Sequence, residues 1–330
     1  MTFLQHSKLA SIAEIGVGTV GASWSALMLA KGLNVRAFDP APDAEEKAIS
    51  LIRGAWPSLI DLQIAADSTP PLDRFSFHHT IEEAVATADV VQENTPEVVE
   101  NKKAVFAQIG AASDHSVIIL SSTGGMTPTE LQELCPHPER FIVFHPFNPT
   151  HLIPLVEVVP GEKTAPELTD WAMEFARFLG KKPVRLDAEL IGHMTNRLQF
   201  ALVREAVRCI VEGVASARDV DAAVRYGLAP RWMLMGGLQT LHLAGGYGGM
   251  RAILDHAGPA IENWWRPGDE IRLTEAVKSM LVDAGSELSN DSNIENWMAW
   301  RDAELVPLLR AQSAAECNQP GHNKQKEMQA

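Results

Sequence analysis

Cysteine is scarce in this chain. There are three in 330 residues, Cys135, Cys209 and Cys317. They are far apart, odd in number and free of CxxC or Cys/His spacing. That argues against a disulfide framework or a zinc site and suits a reducing, cytoplasmic setting. No metal is expected. Positive charge is also short: Lys and Arg total 28 against 42 Asp and Glu, a formal charge of −14. A surface of that sign repels nucleic acid and anionic lipid, so neither is expected as a partner. No apolar run approaches the ~20 residues that span a bilayer. The opening MTFLQHSKLASIAEIG lacks the apolar centre and small-residue cleavage site of a signal peptide. There is no internal repeat of solenoid length.

What remains is the composition of a packed globular protein, 46% apolar and 21% charged. The length exceeds one ordinary core and accommodates two domains. Short apolar runs at 11–15, 35–38, 89–92, 117–120, 141–144, 155–159 and 184–186 read as strands. Amphipathic stretches at 20–31, 43–60, 98–109 and 166–179 read as helices between them. Alternation at this spacing builds a mainly parallel sheet with helices on both faces. After residue 186 the strand-like runs stop, and helical patterns occupy 194–212, 217–226, 238–256 and 273–285. The expected fold is an α/β Rossmann-type domain over residues 1–188 and an all-α C-terminal domain over 189–311. A polar, disordered tail is expected over 312–330.

Gly16-Val17-Gly18-Thr19-Val20-Gly21 follows the first predicted strand and opens a predicted helix. In that context Gly16 permits the tight turn, Gly18 lets main chain approach a pyrophosphate, and Gly21 lets helix and strand pack closely. The amides of Thr19, Val20 and Gly21 at the helix start offer donors and a positive dipole end. Asp39 closes the next strand 18 residues after Gly21. A carboxylate there accepts from both ribose hydroxyls and repels a 2′-phosphate, which favours NAD over NADP. The alternative is a plain strand–helix turn with Asp39 as a turn former before Pro40.

His145-Pro146-Phe147-Asn148-Pro149 ends a predicted strand, and Leu155-Val156-Glu157-Val158-Val159 forms another. Prolines 146, 149 and 154 hold the connection extended, so His145 and Glu157 are able to face each other. Alcohol oxidation needs a base for the hydroxyl proton, and a histidine oriented by a carboxylate suits that task. A structural ion pair would satisfy a buried Glu157 equally well.

These blocks, in order, resemble the 3-hydroxyacyl-CoA dehydrogenase superfamily, and within it the carnitine dehydrogenase and lambda-crystallin (gulonate 3-dehydrogenase) branch. The resemblance is carried by GVGTVG, VVQENTPE at 90–97, SSTGGMTPTELQ at 121–132 and HPERFIVFHPFNPTHLIPLVEVVPG at 137–161. It continues through GHMTNRLQFALVREA at 192–206 and GVASARDVDAAVRYGLAPRW at 213–232. It implies NAD-dependent oxidation of a 3-hydroxyl, with His145 as base, Glu157 holding its imidazole and Asn196 placing the substrate. It brings Glu93 and Asn94 toward the nicotinamide ribose, with Lys102 on the following helix near the same cleft. A solvated helix face is the alternative for Lys102 and Lys103. It also implies an active site between the two domains and a homodimer formed through helices such as 200–210.

Two departures bear on the substrate. The family usually places a serine 21 residues before the histidine, where this chain has Gly124. Ser122 and Thr123 are the nearby hydroxyls able to replace it. Phe144 stands where a small residue is common, so its ring is expected to reshape the pocket. Five tryptophans, 232, 264, 265, 297 and 300, fall in the helical part. Indole faces bind quaternary ammonium groups, with core or interface filling as the alternative. Trp232 is the best single candidate for a pocket wall, and Arg231 for a substrate carboxylate. A carnitine-like 3-hydroxy acid is the leading substrate. The alternatives are a sugar acid such as gulonate, an acyl-CoA thioester, and an NAD-binding structural protein with little activity.

Overall fold

The computed structural model describes residues 3–265, 272–289 and 293–317. The chain forms two compact units, residues 1–197 and 198–330.

The first unit is built on eight strands: β1 (Ser11–Ile15), β2 (Asn34–Phe38), β3 (Phe75–His78), β4 (Val90–Glu93), β5 (Ile118–Ser121), β6 (Phe141–Pro146), β7 (Leu155–Pro160) and β8 (Lys182–Arg185). They lie in the order β3-β2-β1-β4-β5-β6-β7-β8. Every neighbouring pair is parallel except β6 and β7. Only residues 147–154 join those two, too few for the crossover a parallel pair needs. This short link returns the chain antiparallel and sets His145 directly opposite Glu157.

Strand alternation divides the core. Ile142 and Phe144 face a cluster with Trp24, Trp56 and Phe175. That face is covered by α1 (Thr19–Ala30), α2 (Ala44–Asp61) and α6 (Pro166–Phe178). Phe141 and Val143 face the other side, against Phe106, Ile109 and Leu131. That side is covered by α3 (Ile81–Val85), α4 (Val99–Ala112) and α5 (Pro128–Leu131). The sequence pattern does not anticipate β3. It has four residues and one partner strand, so its alternation is too short to register.

α7 (His193–Val211) begins inside the first unit, because its first turn bonds to β7 and to the loop after β5.

The second unit is helical among its described residues. The rest of α7 is followed by α8 (Ala217–Ala222), a π-helical turn over Ala223–Leu228, α9 (Ala229–Ala244) and α10 (Gly249–Trp265). α11 (Glu275–Ser289) and α12 (Ile294–Cys317) complete it. The single helix expected over 238–256 is two, split at 245–248, where the sequence reads Gly-Gly-Tyr-Gly. Glycine costs about 1 kcal/mol per residue in a helix, and three in four residues end one. The tail expected from Gln312 also needs correction. Residues 312–317 continue α12, and Gln312 Nε2 donates to the Met233 carbonyl of α9 at 2.8 Å. The remainder of that expected tail, 318–330, lies outside the described residues.

No described helix is long and apolar enough to cross a membrane. No group of three or more His, Cys, Asp or Glu among the described residues is arranged to hold a metal.

Candidate active site

The glycine motif lies where the sheet order reverses, between β1 and its two neighbours β2 and β4. Gly16 has φ +88°, and a Cβ there would sit 3.1 Å from the Asn94 main chain. A Cβ on Gly21 would fall 2.0 Å from the Gly16 carbonyl oxygen, so α1 approaches β1 only because position 21 has none. At Gly18 the space is open. No side chain caps α1, which leaves the Thr19, Val20 and Gly21 amides as donors at a positive helix end. Asp39 closes β2. Its Oδ2 accepts from Val17 N–H and its Oδ1 from Ala41 N–H, both at 2.9 Å, with lone pairs to spare. An open glycine step, free helix-end amides and a carboxylate at the second strand's end together fit a dinucleotide with an unphosphorylated ribose.

His145 is the fifth residue of β6, and Glu157 pairs with it across the ladder. Glu157 Oε2 accepts from His145 Nδ1 at 2.9 Å. Its other oxygen, Oε1, accepts from Thr195 N–H and Thr195 Oγ1, each at 2.8 Å. Burial alone would raise the Glu157 carboxyl. The bonds from His145 and from the Thr195 main chain and hydroxyl outweigh it and hold the group below the usual carboxylate range. A carboxylate is an acceptor only, so the proton lies on His145 Nδ1 and the Nε2 lone pair is left facing outward. Facing it is Gly124, where a Cβ would stand 2.7 Å from His145 Nε2 and 3.1 Å from Asn196 Nδ2. Asn196 Nδ2 donates to the Gly124 carbonyl at 2.9 Å. An imidazole, the carboxylate bonded to it and a side-chain amide thus meet at the carboxyl end of β6.

The 3-hydroxyacyl-CoA dehydrogenase NAD-binding domain matches residues 11–189, and the C-terminal domain of that enzyme matches residues 192–285. The chain belongs to the 3-hydroxyacyl-CoA dehydrogenase family. It is an NAD-dependent oxidoreductase with NAD as its cofactor. The L-carnitine dehydrogenase of Streptomyces coelicolor is 41% identical over 300 residues, covering 91% of this chain and 94% of that protein. That of Oceanobacillus iheyensis is 40% identical over 298 residues, covering 90% and 96%. Among solved structures, an NAD+-dependent dismutase, 5-formyl-3-hydroxy-2-methylpyridine 4-carboxylic acid 5-dehydrogenase, superposes with a TM-score of 0.79. It is 29% identical and covers 92% of this chain and 99% of that one. The 3-hydroxybutyryl-CoA dehydrogenase of Escherichia coli K12 superposes at 0.61, with 30% identity over 75% of this chain and 52% of that one.

Several expected residues of the dehydrogenase stand elsewhere than foreseen. Lys102 is not on a solvated helix face. It is 1% exposed, and its Nζ donates to Glu93 Oε1 at 2.8 Å, Glu93 Oε2 at 3.1 Å and the Thr95 carbonyl at 2.9 Å. Glu93 also accepts from Ser121 Oγ at 2.6 Å and from Thr95 N–H at 2.7 Å. Both groups are spent on tying the end of β4 to α4, which leaves them little to offer a ribose. Ser122 is committed too: its Oγ donates to Asn94 Oδ1 at 2.7 Å and accepts from Gln92 Nε2 at 2.8 Å and Trp24 Nε1 at 3.1 Å. Thr123 is fully buried and donates to Glu97, with Oγ1 2.8 Å from Oε2. Both hydroxyls are thus engaged with other partners. Phe144 does not shape a pocket. Strand alternation turns its ring away from His145 into the core, 5.4 Å from the Trp24 ring and 5.8 Å from that of Phe175. Arg231 and Trp232 belong to α9 in the second unit. Arg231 donates to the Gly227 carbonyl one turn earlier at 2.8 Å, and Trp232 is exposed.

Other residues of the site carried no signal, or one hidden inside a motif. Thr195, His193 and Glu97 lie within the quoted blocks, but nothing in their spacing gives them a role. Glu14 sits inside what reads as an apolar strand. It is fully buried, burial pushes its carboxyl well up, and its Oε2 accepts from Asn94 Nδ2 at 2.7 Å, which pulls the other way. The turn after His145 is held by Lys181, whose Nζ donates to the Thr150 carbonyl and, at 2.9 Å, to that of Ile153. Burial lowers that amine to about 7.

Proposed function

We propose that this dehydrogenase oxidises the 3-hydroxyl of a small, carnitine-like 3-hydroxy acid to the 3-oxo acid, with His145 as general base. The observation that carries it is the 2.9 Å contact between His145 Nδ1 and the Glu157 carboxylate. That contact leaves Nε2 unprotonated beside Gly124. NAD held by the glycine turn and Asp39 would supply the acceptor for the hydride of the carbinol carbon. His145 Nε2 takes the hydroxyl proton, and the imidazolium so formed is stabilised by Glu157. Asn196 lies alongside, its amide fixed on the Gly124 carbonyl, and positions the reacting oxygen. Thr19, Val20, Gly21 and Asp39 hold the pyrophosphate and ribose, and Glu93 with Lys102 shape that end of the sheet. The relatives named L-carnitine dehydrogenase, at 40% to 41% identity over nine-tenths of the chain, support the substrate.

The second unit exposes large apolar side chains, including Phe200, Leu238, Trp264 and Trp265, which are 59% to 78% exposed. None of the five tryptophans expected to serve a pocket, core or interface is buried. Such area in a folded chain calls for a partner, and a homodimer is the simplest. With free cysteines and an acidic surface, a cytoplasmic location fits. The test is a panel of 3-hydroxy acids with NAD+: L-carnitine, L-gulonate, 3-hydroxybutyrate and 3-hydroxybutyryl-CoA. Turnover of L-carnitine above the others supports the reading. NADH binding without turnover of any member overturns it. Sedimentation of a monomer at micromolar concentration would remove the dimer.

A further inference from the structure

His193 has no part in the chemistry above, yet it is one of the most constrained residues of the site. It is fully buried and opens α7 with φ +47°, straight after Gly192 at φ +78°. A side-chain-bearing residue in that region costs roughly 1–2 kcal/mol, and such strain collects at functional positions. Its ring centroid lies 5.3 Å from that of His145. Its Nε2 is 3.1 Å from the Thr123 carbonyl oxygen. A carbonyl only accepts, so Nε2 carries the proton and Nδ1 is a bare acceptor. No described group hydrogen-bonds to Nδ1.

The contact falls on a segment clamped from several sides. Thr123 Oγ1 and Gly124 N–H both donate to Glu97, the latter at 2.7 Å. Asn196 holds the Gly124 carbonyl at 2.9 Å, and Gly192 N–H donates to the Gly125 carbonyl at 3.0 Å. The main chain thus braced is the wall that His145 Nε2 faces, in place of a side chain at position 124.

We propose that His193 is a positioning residue for His145: as a neutral imidazole it pins the Thr123 carbonyl so that Gly124 backs the Nε2 edge, and its protonation disables the site at low pH. This rests on the reading of His145 as the base. A second proton on His193 would enter at Nδ1, where no acceptor waits. It would also place a charge beside an imidazole that must itself become cationic during oxidation. Burial and the neighbouring His145 both hold His193 below the usual histidine range, while the Thr123 carbonyl and the charges of Glu157 and Glu97 work the other way.

Two variants of the full-length enzyme separate the roles. His193→Gln keeps an amide donor for Thr123 but cannot titrate, and His193→Phe fills the space with no donor. With NAD+ and L-carnitine, H193Q should stay within about threefold of wild-type kcat/KM at high pH. The acid limb of its profile should fall with one proton rather than two. H193F should lose about tenfold or more in kcat/KM while NADH affinity and melting temperature hold. A readout independent of turnover is the 13C-edited NMR titration of the histidine Cε1–H signals. One signal should remain in the neutral form where ordinary histidines are charged, and it should vanish in H193Q. The proposal is overturned if both variants reproduce the wild-type rate and pH profile, or if the His193 signal titrates as an exposed histidine does. It is also overturned if both variants lose NADH binding and thermal stability together, a merely structural role. His145→Asn keeps the two readings apart. Full activity in H145N removes the general base itself, whereas an inactive H145N beside indifferent H193 variants removes this proposal alone.

Discussion

Replacing Glu157 by Gln changes one atom and leaves the site no satisfactory proton arrangement. The carboxylate accepts on both oxygens: from His145 Nδ1 at 2.9 Å on Oε2, and from Thr195 N–H and Oγ1 at 2.8 Å on Oε1. A glutamine offers one acceptor and one donor. If its NH2 faces His145, the ring must shift its proton from Nδ1 to Nε2, and the nitrogen meant to receive the substrate proton is then occupied. If its NH2 faces Thr195, it opposes a main-chain N–H that cannot turn away. The second arrangement costs about 1–3 kcal/mol as an unmade buried hydrogen bond, and the first holds the imidazole in the wrong tautomer for the reaction. The imidazolium formed in the reaction also loses its counter-charge, worth about 1.5–3 kcal/mol for a hydrogen bond to a charged group. A combined loss of about 4 kcal/mol corresponds to roughly a thousandfold in rate, since 1.36 kcal/mol is tenfold. The assay is initial NADH formation with L-carnitine across the pH range, with NADH affinity measured alongside. We expect kcat to fall by about that factor, cofactor binding to be unchanged, and the acid limb to move, because the imidazolium is no longer favoured. A variant within threefold of wild type, with an unmoved profile, would refute the argument and leave Glu157 a structural partner.

Glu14→Gln should stabilise the protein at alkaline pH. Burial raises the folded carboxyl, so the native state holds its proton more tightly than the unfolded chain does. Its contribution is complete below the unfolded value and is lost as pH rises through the folded one. We expect the variant to match wild type near pH 4 and to gain about 1–3 kcal/mol above neutrality in urea unfolding, with no gain arguing for a solvated carboxyl. Asp39→Ala should weaken NAD and narrow the preference over NADP by about tenfold, about 1.4 kcal/mol, in paired KM measurements; an unaltered ratio would place ribose recognition elsewhere. Gly124→Ala brings a Cβ to 2.7 Å from His145 Nε2, which Glu157 holds in place. It should lower kcat by about tenfold with little change in NADH affinity, and undiminished turnover would show that the imidazole moves freely.

The α/β order, the parallel sheet, the helical second unit and the dinucleotide turn are all legible in the residues. Hydrophobic period and glycine placement act through neighbours along the chain, within a strand or a helix turn. His145 and Glu157 are also within reach, because three prolines and eight linking residues leave an antiparallel return as the only short path. Lys102 shows where this kind of reading stops. On a helix start it looks like any solvated lysine, and only the meeting of β4, β5 and α4 gives it Glu93, Ser121 and Thr95 as surroundings. Phe144 shows the same limit in reverse. Beside His145 in sequence, it is opposite to it in space because a strand alternates.

Covalent order therefore determined the architecture, the cofactor and the pairing of His145 with Glu157. Tertiary structure alone decided who touches whom at the site. It committed Ser122 and Thr123 to other partners, put Thr195 on Glu157, and set a second histidine beside the first. The physical reason is range: turns and periodicities are encoded within a few residues, whereas a hydrogen bond at 2.8 Å between positions 157 and 195 exists only after two distant segments are packed together.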